Sequence, residues 1–250
     1  MKNNFFNSPL TNIYYKPSLN SEVLSQILYG EKFRILNKKK GWVKIKTYFD
    51  NYIGFIKEQK FRSEFKPQLK IFKLRSKIFV KKKNKFFASK NFLYFASGIS
   101  VLNKNNNYIE FEKNKWIKTK DTKDINHFEK NYLKIIKLFL NSKYLWGGKT
   151  SRGIDCSALI QIFFYYNRIF FPRDSKDQIK FCKKKKDKKF DKGDIIFWKG
   201  HVGLCLNKSK FIHAYGPKKK VIVMSTKTTI ELIKKTANLK IKKVSNINKY

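Results

Sequence analysis

The 250-residue chain carries 58 Lys and Arg against 17 Asp and Glu, a formal charge of +41, yet 42% of it is hydrophobic and 16% aromatic. That apolar content excludes a disordered basic tail, because such a tail lacks the side chains needed to bury a core. The charge consists of 52 lysines and only six arginines, and with abundant Asn, Ile, Phe and Tyr it reads as base-composition drift ahead of nucleic-acid binding, for which arginine is the better-suited residue.

Residues 1–60 read as short strands, with Phe33–Leu36, Trp42–Ile45 and Tyr52–Ile56 set off by turn signals at Asn7-Ser8-Pro9, Tyr29-Gly30 and Lys40-Gly41. Strands of this length joined by tight turns suggest a small barrel. A similar stretch follows from about Lys70 to Lys120, with strands expected at Lys77–Val80, Gly98–Leu102, Tyr108–Phe111 and Lys115–Lys118. Gly30 and Gly98 each precede an apolar strand, so the two stretches read either as a diverged repeat or as one meandering sheet. Near Asp121 the pattern changes. Asp124-Ile125-Asn126 is expected to cap a helix through Phe128, Tyr132, Ile135, Ile136 and Phe139. A glycine loop, Tyr144-Leu145-Trp146-Gly147-Gly148, leads to a second, buried helix from Cys156 through Tyr166. Beyond a charged loop at Lys183–Lys189, strands are expected at Asp194–Trp198, His201–Leu206, Phe211–Tyr215 and Val221–Met224. Helices followed by a run of strands indicate an α+β domain.

Cys156 stands where Arg152-Gly153-Ile154-Asp155 turns into a helix. The helix dipole and free N–H groups there are expected to bring the thiol below about 8.5 and favour the nucleophilic thiolate. The same N–H groups can hold an oxyanion. His201 and His213 fall on adjacent expected strands, where one imidazole can act as base and the other orient it. Two alternatives stand beside this. Cysteines in apolar helices are commonly core residues, as expected for Cys182 and Cys205. Cys156, His201 and His213 could also ligate zinc, although no C-x-x-C or H-x₃₋₅-H spacing is present and a fourth ligand is not evident.

The string Tyr144-Leu145-Trp146-Gly147-Gly148…Arg152-Gly153-Ile154-Asp155-Cys156-Ser157-Ala158-Leu159 resembles the nucleophile motif of the NlpC family of cell-wall cysteine peptidases. Pro172-Arg173-Asp174-Ser175-Lys176-Asp177-Gln178, Gly193–Trp198, Gly200-His201-Val202-Gly203 and Phe211-Ile212-His213-Ala214 resemble that family's later segments, in its order. Ala158 departs from the family's usual glycine. Residues 18–31, Gly41-Trp42 and Tyr52–Phe55 are similar to the bacterial SH3-like barrel that precedes NlpC domains in γ-D-glutamyl-diamino-acid endopeptidases. The resemblance implies an α+β papain-like catalytic domain at 124–250 behind two small all-β SH3-like barrels, at 1–62 and 66–120. It implies Cys156 as nucleophile, His201 as base and His213 as orienter. Asp155, Ser157 and Ser175, with Tyr52 and Glu22 from the first barrel, would recognise the free N-terminal amine of a murein peptide, and Trp146 is a further substrate-binding candidate. No cofactor or metal is implied.

No window reaches the roughly 18 uncharged apolar residues of a membrane span, and the start lacks a signal-peptide core. With three cysteines, odd in number, the expectation is a cytoplasmic protein in a reducing compartment, acting on murein peptides without a specific nucleic-acid partner. The rival readings are a non-catalytic wall-peptide binder and a lysine-mediated nucleic-acid binder.

Overall fold

Period-two burial builds the first sheet. In the computed structural model, which describes residues 3–187 and 189–250, Val43 and Ile45 point inward while Lys44 and Lys46 stay partly exposed. Strands β1 (Asn4–Phe5), β2 (Leu10–Tyr14), β3 (Val23–Leu28), β4 (Lys32–Lys39), β5 (Trp42–Thr47) and β6 (Ile53–Lys57) pair in the order β1-β4-β5-β6-β2-β3. They enclose Phe6, Ile13, Ile27, Phe33, Val43, Ile45 and Ile56.

The next stretch holds β7 (Leu69–Ile71), β8 (Arg75–Lys82), β9 (Lys85–Tyr94), β10 (Gly98–Ile99), β11 (Asn103–Asn105), β12 (Tyr108–Glu112), β13 (Lys115–Lys118) and β14 (Thr122–Asp124). These form a five-stranded sheet, β11-β12-β13-β8-β9, and a three-stranded one, β10-β7-β14. Their core joins Ile71, Ile78, Leu93, Ile99, Ile109, Phe111 and Ile117 to Tyr29, a residue of the first stretch. The Tyr29 ring meets Phe111 edge-on at 5.4 Å, and its hydroxyl accepts from Arg62 Nη1 at 3.0 Å and donates to Glu112 Oε2 at 3.3 Å. Gly30 has φ +79°, and a Cβ there would lie 2.2 Å from the Gly98 carbonyl oxygen. The two glycines that precede the matching strands of the similar stretches therefore meet at a contact too close for any side chain.

All of this lies in one compact unit, which runs to Phe128 and takes in Tyr166–Arg168. The other unit comprises Glu129–Tyr165 and Ile169–Tyr250. Its elements are α1 (Tyr132–Leu138), β15 (Lys149–Thr150), β16 (Gly153–Ile154), α2 (Cys156–Asn167), α3 (Ser175–Phe181), β17 (Asp194–Trp198), β18 (His201–Cys205), β19 (Lys210–Tyr215), β20 (Lys220–Ser225), α4 (Thr226–Ala237) and β21 (Lys243–Asn246). An antiparallel sheet of order β20-β19-β18-β17-β21 is the frame of the unit. Helix α2 is buried on every face, apolar through Ala158, Leu159, Ile160, Ile162, Phe163 and Phe164 and polar at the buried Ser157 and Gln161.

Three expectations are corrected. Helix α1 is capped by Asn131, not near Asp124; the Asp124 backbone is extended against Leu69, and its carboxylate closes a turn onto Asn126 N–H. The strand expected at Gly98–Leu102 stops at Ile99, because Val101 N–H turns to Gln68 Oε1 and Leu102 N–H to the Glu110 carbonyl. Helix α4 and strand β21 were not anticipated; α4 is Thr-rich and opens on a Ser225 cap. Met1 and Lys2, where the first domain was expected to begin, and Lys188, within the expected Lys183–Lys189 loop, lie outside the described residues. No helix among the described residues is long and apolar enough to cross a membrane.

Candidate active site

Asp155 caps α2, accepting from Ala158 N–H at 2.8 Å through Oδ1, which places Cys156 at the first helical position. The Asp155 carboxylate is itself buried and receives four further hydrogen bonds. Arg173 binds it through both ends, Nη1 to Oδ1 at 2.9 Å and Nη2 to Oδ2 at 2.7 Å. Gly147 N–H donates to Oδ2 at 3.0 Å and Ser157 Oγ to Oδ1 at 3.1 Å. Arg173 also donates to Ser157 Oγ and to the Gly148 carbonyl. Gln178, fully buried in the middle of α3, donates to the carbonyls of Ser157 and Pro172, both at 2.9 Å. The segment Pro172–Gln178 thus clamps the nucleophile turn from outside. Ser175 opens α3.

The Cys156 thiol is buried, and that burial pushes it up to about 12, with the Asp155 charge acting in the same direction. Backbone N–H groups of Val202 and Ser157 and the Arg173 charge oppose the rise without cancelling it. The expected lowering of the thiol is therefore overturned. The helix end that was to favour a thiolate is occupied by the Asp155 carboxylate, and desolvation outweighs the remaining N–H groups. Tyr144, from the glycine loop, is raised to about 12, by burial first and then by the charges of Cys156 and Asp155. Its phenol thus belongs to the same electrostatic environment.

His201 opens β18 and His213 lies in β19, and His201 Nε2 is 2.9 Å from His213 Nδ1. Gly203 makes that packing possible: a Cβ there would sit 2.4 Å from Phe211 Cζ and 2.9 Å from His213 Cβ. Burial lowers His201 to about 4; burial, then the charge of His201, lowers His213 to about 3. Burial thus favours the neutral form of both imidazoles and the protonated form of the Cys156 thiol. His213 Nε2 is buried without a hydrogen-bond partner. Among the described residues, no group of three or more His, Cys, Asp or Glu is placed to hold a metal ion.

Two comparisons of sequence fit this arrangement. The NlpC/P60 family pattern matches residues 141–238, and that of the bacterial dipeptidyl-peptidase SH3 domain matches residues 13–61. The chain carries an NlpC/P60 peptidase domain and a bacterial dipeptidyl-peptidase SH3 domain. It is 26% identical to dipeptidyl-peptidase 6 of Lysinibacillus sphaericus, over 82% of this chain and 84% of that protein. It is 25% identical to the γ-D-glutamyl-L-lysine dipeptidyl-peptidase of Bacillus subtilis, over 83% of this chain and 77% of that one. The crystal structure of an NlpC/P60 family protein from Bacillus cereus has the same fold, with a TM-score of 0.76 at 18% identity over 90% of this chain and 94% of that chain.

Within the peptidase, Cys156, Asp155, Ser157, Ser175, Trp146, His201 and His213 all belong to one compact unit. Trp146 stands 57% exposed in the glycine loop. Tyr52 and Glu22 belong to the other unit. Tyr52 is half-buried, its N–H donating to Thr47 Oγ1 at 2.8 Å, while Glu22 is exposed just before β3. Arg173, Gln178 and Tyr144 were missed as site residues, although each stands in a segment that resembles the family.

Proposed function

We propose that the peptidase hydrolyses the amide bond between γ-D-glutamate and a diamino acid in murein peptides bearing a free N-terminal L-Ala. The observation that carries this reading is the 2.9 Å contact between His201 Nε2 and His213 Nδ1. It leaves Nδ1 as the one ring nitrogen of His201 available to a thiol. In the proposed cycle Cys156 Sγ attacks the scissile carbonyl as His201 Nδ1 takes the thiol proton. Backbone N–H at the start of α2 receives the oxyanion. His201 then returns the proton to the leaving amine, and water, activated by the same imidazole, releases the acyl group. His213 holds the His201 ring in its productive tautomer throughout.

Asp155, Ser157 and Ser175 are the proposed amine pocket. Asp155 already holds Arg173, so an arriving ammonium competes with Ser157 Oγ, whose hydroxyl hydrogen can rotate to another acceptor. Tyr52, Glu22 and Trp146 enter as substrate contacts on the resemblance alone. The proposed organisation keeps SH3-like barrels at 1–62 and 66–120 ahead of a peptidase domain at 124–250. The proposed setting is recycling of released peptides in the cytoplasm, a reading supported by three free cysteines.

The test is hydrolysis of L-Ala-γ-D-Glu-L-Lys and of its N-acetylated form. Cys156→Ala should abolish release of lysine, and acetylation should block the wild type. Residual turnover by Cys156→Ala overturns the mechanism, and cleavage of the acetylated peptide overturns the amine pocket.

A further inference from the structure

A thiol that hands its proton to a buried imidazole creates a cation, and in most enzymes of this kind of chemistry a carboxylate or amide partner stabilises it. Here the partner is a second imidazole, and no carboxylate is among the groups that shift either histidine. The groups facing the pair are rings. The Tyr215 phenol stacks on His213 at 4.7 Å and 15°, and its centroid is 6.0 Å from that of His201. Trp198 faces His201 at 5.7 Å, and Phe211 meets His213 at 5.2 Å. Tyr215 and Trp198 are buried, so water does not screen these contacts.

Proton balance gives the stacking a role. When His201 Nδ1 accepts the thiol proton, His201 carries hydrogens on both nitrogens, and its Nε2–H donates to His213 Nδ1. That proton can move along the 2.9 Å bond to His213, leaving His201 neutral with its hydrogen on Nδ1 and His213 cationic. The positive charge is then shared over both rings, and part of it lies directly under the Tyr215 face. A π face attracts a cation most strongly when the pair is desolvated. We propose that Tyr215 is a positioning residue of the catalytic relay, its ring supplying to the His201–His213 cation the stabilisation that a carboxylate supplies elsewhere. This rests on the reading of Cys156 and His201 as a nucleophile–base pair.

The titratable groups around the thiol are Asp155, Arg173 and Tyr144, and those at the relay are the two histidines and the Tyr215 phenol stacked on His213. The experiment is the rate of iodoacetamide alkylation of Cys156 against pH, which needs no substrate, in the full chain and in Tyr215→Leu and Tyr215→Phe. Removing the ring should lower the plateau rate by about three- to tenfold and move the acid limb to lower pH, since the histidine pair then binds a proton less readily. Tyr215→Phe keeps the ring and should restore both. Equal curves for all three proteins overturn the proposal, and so does an equal loss in both variants, which would assign the effect to the hydroxyl. Thermal unfolding of Tyr215→Leu checks that the fold persists; the Phe variant decides the question if it does not. A wild type whose Cys156 alkylates no faster than Cys182 refutes the nucleophile–base reading itself, separately from the role of Tyr215.

Discussion

Arg173→Met tests the most demanding electrostatic feature of the site. The Arg173 and Asp155 side chains are 1% and 8% exposed and touch at 2.7 Å, so neither charge has bulk water to fall back on. Removing the guanidinium takes two of the five hydrogen bonds from Asp155 and, among the described residues, the one full positive charge bonded to it. Hydrogen bonds to charged groups contribute about 1.5–3 kcal/mol each, so two of them give roughly 3–6 kcal/mol. Breaking buried ion pairs by deleting one partner costs about 3–5 kcal/mol, and a loss near 4 kcal/mol is expected on both counts. That is a large share of the roughly 5–15 kcal/mol that separates folded from unfolded domains. The assay is urea unfolding followed by near-UV circular dichroism, run as a double-mutant cycle with Asp155→Asn. The double variant should be far more stable than the sum of the singles implies. Arg173→Lys should recover only part of the loss, because an ammonium cannot bridge both carboxylate oxygens. Additive singles, or an Arg173→Met cost below about 1 kcal/mol, would refute the argument that this buried pair holds the nucleophile turn.

Two further outcomes follow from buried charge elsewhere in the unit. His201 and His213 are lowered to about 4 and about 3 from an ordinary 6.5. The unfolded chain therefore binds more protons below pH 6.5, and stability complete above that pH is lost as the pH falls toward 4 and then 3. Between pH 7 and 4.5, wild type should lose roughly 2 kcal/mol more than His213→Asn, as read from urea midpoints; parallel losses would contradict the buried neutral pair. Lys185 donates to Asp194 at 2.7 Å and to Asp191 at 3.1 Å, and Asp194 is fully buried. Lys185→Met should cost about 3–5 kcal/mol in thermal unfolding, whereas the exposed neighbour Lys184→Met should stay within about 0.5 kcal/mol.

The residues proposed as catalytic stand in short ordered segments that the sequence displays: Cys156 after a glycine turn, His201 and His213 on neighbouring strands. What holds them was less legible. Arg173 and Gln178 reach back 18 and 21 residues to Asp155 and Ser157, and nothing local to Pro172–Gln178 says which way those side chains point. The thiol was misjudged because a helix end is visible in sequence, while the burial that opposes it is a property of the packed unit. Helix α1 began late because Asp124 and Asn131 are both good caps, and only pairing of Asp124 against Leu69 decides between them. The charge misled in part as well. Most lysines are surface background, but Lys185 neutralises a buried carboxylate, and Lys243 donates to the Ile179 and Cys182 carbonyls at the end of α3. An arginine-poor protein has put lysines at those internal positions.

Tyr29 belongs by sequence to the first β-rich stretch and by packing to the core of the second. A chain cut after the first sheet would expose that ring to water, while a chain starting after it would have a gap beside Phe111 and lack one wall of its interior. The two stretches thus share one interior, with Gly30 against Gly98 as a point of close contact. For any truncation of the chain, the two stretches are therefore the smallest piece to keep, because neither has a complete interior alone.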